Sequence, residues 1–208
     1  VTKWIIIFLV LSTFALAPIQ LNKIYKRSGD SILERDNNFD IAFEMLISAE
    51  GTYSNVMGDR GGRTIYGITK RDYPIIFRQV YDLYKTGRPK LAKHQAKIFY
   101  EGEFWNPLYD KISNKLAYKI FDLSVNRGKR TAVKSLQRVL KYGLLYDLKV
   151  TGQFTHREVD IIINHLPQDE IYDQYIQYNY RSYRRMASAI LFIKGWTKRL
   201  FRNYTEMK

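Results

Sequence analysis

The fold turns on the stretch Ala49-Glu50-Gly51-Thr52-Tyr53-Ser54-Asn55-Val56-Met57-Gly58-Asp59-Arg60-Gly61-Gly62-Arg63-Thr64-Ile65-Tyr66-Gly67-Ile68-Thr69. Apolar residues precede and enter it at Phe39, Ala42, Phe43, Leu46 and Ala49, the spacing of one helix face. Gly51, directly after Glu50, is the residue type that commonly ends a helix in the left-handed conformation. Gly58, Gly61 and Gly62 then crowd a short span between Tyr53 and the group Ile65, Tyr66 and Ile68, which predicts a tight β-ribbon. The expected unit is a helix whose last turn presents Glu50 to a ribbon carrying Asp59.

Glu50 is poorly placed for stability. A carboxylate in the last helical turn faces the negative end of the macrodipole, at a cost of roughly 0.3–1 kcal/mol on an exposed site. The same field, with burial in a cleft, favours the protonated acid. A carboxylic acid kept protonated near neutral pH is what general acid catalysis of glycoside hydrolysis requires. Asp59, on a glycine-rich ribbon, is expected to be solvated and ionised, so the two carboxyls suit two different roles. A lone Glu before Gly is common and proves nothing by itself. The dense glycines add weight, because they let backbone approach a ligand closely.

Glu50-Gly51-x-Tyr53, then Asp59-x-Gly61-Gly62-x-Thr64, then Gly67-Ile68-Thr69 resembles the signature of glycoside hydrolase family 108, the lysozyme-like N-acetylmuramidases. The order of Glu50, Asp59 and Thr64 is also similar to the active-site hairpin of phage lysozymes. The resemblance implies Glu50 as the catalytic acid, with Asp59 and Thr64 completing the site by their order in the hairpin. It implies that the glycan lies against Tyr53, Gly61, Gly62 and Tyr66. Thr52 stands where the family usually has a second glycine, so a different local turn is expected there.

Further segments carry the same resemblance. Phe121-Asp122-Leu123-Ser124-Val125-Asn126-Arg127-Gly128 resembles the family's Phe-Asp-x-x-Val-Asn-x-Gly segment, at the end of a strongly apolar helix. Asp122 and Asn126 stand at i and i+4 and share one face. That face either meets the cleft and binds substrate or caps neighbouring backbone. Val150 to Thr155 resembles a family turn in which an aspartate precedes glycine; Thr151 replaces it, which puts that turn's hydrogen bond in doubt. Lys194-Gly195-Trp196-Thr197-Lys198-Arg199 resembles the closing Gly-Trp-x-x-Arg, with Trp196 read as an anchor for the last helix.

Between these motifs the pattern is helical. Thr69 to Tyr84 reads as a helix restarted by Pro74, which suits a first turn. Thr86 to Pro89 reads as a turn and Lys90 to Phe104 as a helix. Trp105 after it belongs to the core or to sugar stacking, with the core favoured. Thr131 to Tyr142 follows. Thr155-His156-Arg157-Glu158 is a capping box opening another helix, and Pro167 opens a long one through about Ile190.

At 208 residues the chain has ample core for a single domain. It contains no cysteine, which excludes disulfides and thiolate metal sites. His94, His156 and His165 have no metal-ligand spacing, so neither a metal nor a cofactor is expected. The formal charge of +14 points to an acidic partner. No zinc finger, P-loop or RNA-binding aromatic signature accompanies that charge, so nucleic acid is not expected as the partner. Bacterial cell wall is, and the chain is expected to be a monomer.

Trp4 to Ile19 is an apolar run of about sixteen residues, short of the ~20 a spanning helix needs. Lys3 precedes it and Lys23, Lys26 and Arg27 follow. A cleaved signal peptide, an uncleaved signal anchor and a buried helix all remain open, and the anchor is favoured; Pro18 after Ala15-Leu16-Ala17 disfavours cleavage. The expected organisation is therefore an apolar inner-membrane segment at 1–27, a linker at 28–38, a muramidase catalytic region at 39–127, and a helical peptidoglycan-binding region at 128–208 packed on it. The expected fold is mainly α and lysozyme-like, with a small β-hairpin at the active-site cleft. The expected activity is hydrolysis of the β-1,4 bond between N-acetylmuramic acid and N-acetylglucosamine by an endolysin-type enzyme held at the membrane or in the periplasm. A lysozyme-like domain that binds peptidoglycan or a protein partner without cutting is the alternative, kept open by Thr52 and Thr151.

Overall fold

Phe39, Ala42, Phe43 and Leu46 are all buried, so the predicted helix face does meet a core. The computed structural model describes residues 38–54, 63–165, 167–186 and 189–201, within a single unit spanning Arg35–Lys208. The apolar segment 1–27 and nearly all of the linker lie outside the described residues. Helix α1 runs Asn38–Glu50. Phe39 meets Trp105 at 5.3 Å and Phe121 edge-on at 5.8 Å, while Phe43 meets Tyr100 at 6.0 Å. Tilted and edge-to-face contacts of this kind are favoured by the ring quadrupoles. Trp105 is thus a core residue, 6% exposed.

Three two-residue strands follow α1: β1 (Tyr53–Ser54), β2 (Thr64–Ile65) and β3 (Ile68–Thr69), antiparallel in that order. Tyr53 pairs with Ile65, and Ile65 with Ile68. The sequence pointed to one ribbon; the second hairpin, β2–β3, turns on Tyr66 and Gly67, both at positive φ (48° and 76°). That is the type I′ geometry that matches strand twist. Tyr66 is costly there for a side chain, and three bonds hold it. Its N–H donates to the Thr52 carbonyl at 2.7 Å, its carbonyl accepts from the Tyr100 hydroxyl at 2.9 Å, and its own hydroxyl donates to the Pro89 carbonyl at 3.3 Å. Thr52, the departure from the family pattern, therefore contributes a carbonyl to the ribbon.

Helix α2 is Pro74–Lys85, so the helix expected from Thr69 starts five residues later. Thr69 belongs to β3, and Asp72 instead bonds the Thr69 side chain to close a turn. Helix α3 (Pro89–Phe104) packs against α2, and a 3₁₀ turn (Pro107–Lys111) leads to α4 (Asn114–Arg127). Every residue from Leu116 to Ser124 is buried, as expected of a helix surrounded on all sides. Helix α5 (Lys129–Arg138) runs into a π-helical turn, Val139–Gly143, and packs on α4.

The capping box of α6 (His156–Asn164) is present: Thr155 and Glu158 bond reciprocally. Glu158 is buried and also accepts from Gln137 at 2.8 Å, whose carbonyl oxygen takes the Gly152 N–H at 2.8 Å. The turn bond in doubt at Thr151 survives, because its hydroxyl accepts from the Gln153 N–H at 3.1 Å in place of a carboxylate. Helix α7 is Gln168–Arg184, shorter than expected: the Arg185 and Met186 N–H groups bond three residues back, to Ser182 and Tyr183, and stop the ladder. Helix α8 (Ala189–Leu200) is separate. Trp196 lies 5.2 Å from Tyr183, which anchors α8 to α7.

Asp122, on α4, is 2% exposed; Arg199 Nε donates to it at 2.9 Å and Lys119 Nζ lies 3.8 Å away. Removing Arg199 takes the short charge-assisted hydrogen bond from Asp122 and leaves Lys119 as its counter-charge. Arg199→Met is therefore expected to cost about 1.5–3 kcal/mol, measured as a lower urea midpoint with the slope unchanged.

Candidate active site

Glu50 is the last residue of α1. The Gly51 N–H donates to the Ile47 carbonyl at 3.1 Å, and Gly51 then takes φ +74°, which turns the chain out of the helix and into β1. The left-handed stop read from the sequence is therefore present. The Glu50 side chain, and all of Asp59, Gly61 and Gly62, lie outside the described residues.

The described part of the ribbon places Thr64 in its central strand, half-buried, facing Ser54 on one side and Thr69 on the other. Tyr53 is three residues beyond Glu50 and 39% exposed. Its ring stacks near Tyr84 (6.4 Å, 21°) and leans on Tyr81 (5.6 Å, 37°), while Tyr81 stacks on buried Phe77 (5.6 Å, 12°). These rings form a stepped aromatic platform rising from the core to the ribbon surface. Aromatic faces with a polar hydroxyl edge suit a ligand that offers both C–H and O–H groups. Tyr81 and Tyr84 were missed in the sequence, although their i, i+3 spacing on α2 put them on one face.

The other expected contacts fall elsewhere. Tyr66 is 5% exposed and its hydroxyl is engaged by Pro89, so its side chain packs the turn and is not available as a substrate contact. Burial, with Tyr84 as a smaller cause, also pushes its phenol above the usual value, so it stays neutral. Asp122 and Asn126 do share a face of α4, and the partners they engage are on α7 and α8. Asp122 pairs with Arg199, and Asn126 donates to the Tyr183 hydroxyl at 3.1 Å. These contacts join neighbouring helices through side chains and do not cap their backbone. Asn126 also borders a hollow of about 370 Å³ with Arg127, Tyr183 and Trp196. His94, His156 and His165 are all exposed.

Residues 43–128 match the family model described as Glycosyl hydrolase 108, a span from α1 through the ribbon to the end of α4. No curated protein matches the chain. A solved structure described as that of Brucella abortus SagA is 22% identical, covering 81% of this chain and 92% of that one at a TM-score of 0.61. At that identity the likeness establishes the fold, and with it the mainly α, lysozyme-like architecture. The family resemblance read from the motifs is borne out over the matched residues.

Tyr53 can be tested apart from the chemistry. Tyr53→Ala removes the outer ring of the platform without touching Glu50. It is expected to raise KM about three- to tenfold with kcat nearly unchanged, the signature of lost ground-state binding, in initial-rate measurements on purified sacculi.

Proposed function

We propose that this chain, a glycoside hydrolase by the family its residues 43–128 match, is an N-acetylmuramidase that cuts the β-1,4 bond between N-acetylmuramic acid and N-acetylglucosamine in peptidoglycan. The observation that carries this reading is the placement of Glu50, the final residue of α1, where Gly51 at φ +74° leads directly into the ribbon bearing Tyr53 and Thr64. Glu50 protonates the leaving oxygen. Asp59 either orients a water on the opposite face of the sugar or supports the developing oxocarbenium charge, and Thr64 helps to hold that water. A carboxyl separation of roughly 5–5.5 Å retains configuration and one of roughly 6.5–9.5 Å inverts it, so the anomer released first identifies the role of Asp59. Tyr53, with Tyr81 and Tyr84 behind it, offers a sugar-stacking surface at the mouth of the site.

General acid catalysis contributes roughly 10²–10⁴-fold. Glu50→Gln is accordingly expected to lower turnover on purified sacculi by about that factor and to leave the circular dichroism spectrum unchanged. Near-normal turnover would remove Glu50 from the acid's role.

The setting we propose is an endolysin-type enzyme brought to the inner membrane by the apolar segment at 1–27, with the region 128–208 adding affinity for the wall. Among the described residues no helix is long and apolar enough to cross a membrane, so the anchoring rests on Trp4 to Ile19. A charge of +14 favours approach to the acidic wall. Cell fractionation with mass measurement tests the location. The expected result is membrane-associated chain of unchanged mass with slow release to the periplasm. A product shortened by about seventeen residues would mean a cleaved signal peptide, and wholly cytoplasmic chain would rule the anchor out.

A further inference from the structure

Beside the ribbon, on the outer side of α2, lies an open groove of about 640 Å³. Arg63, one residue before β2, contributes one wall, and its guanidinium sits 5.8 Å from the centre of the Tyr81 ring. Lys70, one residue after β3, and Arg78 on α2 complete a triangle of cations around it. Phe77 and Tyr81 form its floor, and Ile75 stands at its rim with 76% of its surface exposed. Among the described residues no acidic side chain lines the groove.

The acids nearby are engaged. Asp72 is held by Arg71 at 2.8 Å and by the Thr69 hydroxyl at 2.8 Å. Asp82 lies 3.9 Å from Arg78, with both side chains largely solvated, a geometry that contributes little. Among the described residues neither Arg63 nor Lys70 is paired with a carboxylate. Three cations around an apolar floor select a ligand with several carboxylates or phosphates and small apolar groups between them. Two of its cations flank the ribbon that follows Glu50, Arg63 just before β2 and Lys70 just after β3.

We propose that this groove binds the peptide stem of peptidoglycan, taking its free carboxylates on Arg63, Lys70 and Arg78 and its alanyl methyl groups on Ile75 and Phe77. The proposal rests on the muramidase reading, which places a glycan strand, and hence its stems, at the ribbon. The stem is the anionic group already tethered to the substrate, so its capture gains from high effective concentration. The groove thereby distinguishes stem-bearing wall from bare glycan.

The test compares the full chain with its Lys70→Glu, Arg78→Glu double variant, both positions being exposed. Substrates are intact sacculi and sacculi stripped of stems by an amidase. Expected is a KM on intact sacculi raised about fivefold by the substitutions, with kcat and the melting temperature unchanged, and the same KM for both proteins on stripped sacculi. An unchanged KM on intact sacculi, or an equal rise on both substrates, overturns the proposal.

Calorimetric titration with a soluble stem tripeptide supplies a readout independent of cleavage. Tripeptide binding that is lost in the variant, from a chain that cuts no wall, supports the groove and defeats the muramidase reading. Cleavage without tripeptide binding defeats the groove alone. Binding of a glycerol-phosphate polymer but not of the tripeptide overturns the stem as ligand and assigns the groove to wall phosphates.

Discussion

The aromatic contact of Phe39 with Trp105 and Phe121 is the constraint on which the rest depends. Each ring comes from a different element: α1, the end of α3, and α4. Phe43 and Tyr100 extend the same cluster, and the Tyr100 hydroxyl goes on to bind the Tyr66 carbonyl in the β2–β3 turn. One connected set of side chains thus fixes the axis of α1 and the position of the ribbon relative to it. Aromatic pairs contribute about 0.5–1.5 kcal/mol each beyond area burial, but their geometric effect matters more here. A helix whose last residue opens directly onto the ribbon must end in a defined place. The cluster sets that place from inside the core, where loops are not involved.

The second principle of the fold is that several of its buried polar side chains are matched across elements. Gln137 and Glu158 close the loop between the π-helical turn and α6 by bonding each other and the backbone at Gly152, Gln153 and Thr155. Lys119 and Asp122 sit inside α4 and recruit Arg199 from α8. Unmatched, each group would incur a desolvation cost of several kcal/mol. Matched, they determine which helix packs where, because apolar surfaces alone accept many arrangements. Among the described residues Lys119 is the one buried basic side chain, and the chain carries a net charge of +14.

Much of this was legible from spacing. The face of α1, the glycine stop at Gly51, the capping box at Thr155 and the turn at Thr86–Pro89 each follow from one local rule, and local rules survive folding. What failed to show was set by partners distant in the chain. Asp122 and Asn126 were visible as a polar face, but only Arg199 and Tyr183 determine what that face does. Tyr66 looked like a ligand contact because it lies in the motif; Pro89 and Tyr100 make it a turn residue. The end of α7 carries no proline or glycine signal, so the helix was extended past Arg184. The basic groove was hidden for a different reason: Arg63 and Lys70 flank strands β2 and β3 and Arg78 lies on α2, with no motif among them.

The bond between Asp122 and Arg199 links residues 77 positions apart. At about 5–20 residues per second of synthesis, α4 leaves the ribosome roughly four to fifteen seconds before its counter-ion. Throughout that interval Asp122 has Lys119, 3.8 Å away in the folded chain, as its neighbouring charge and lacks the short bond from Arg199. The contact that joins α4 to α8 is therefore a late event in synthesis, and the packing of α4 gains it only after α8 has been made.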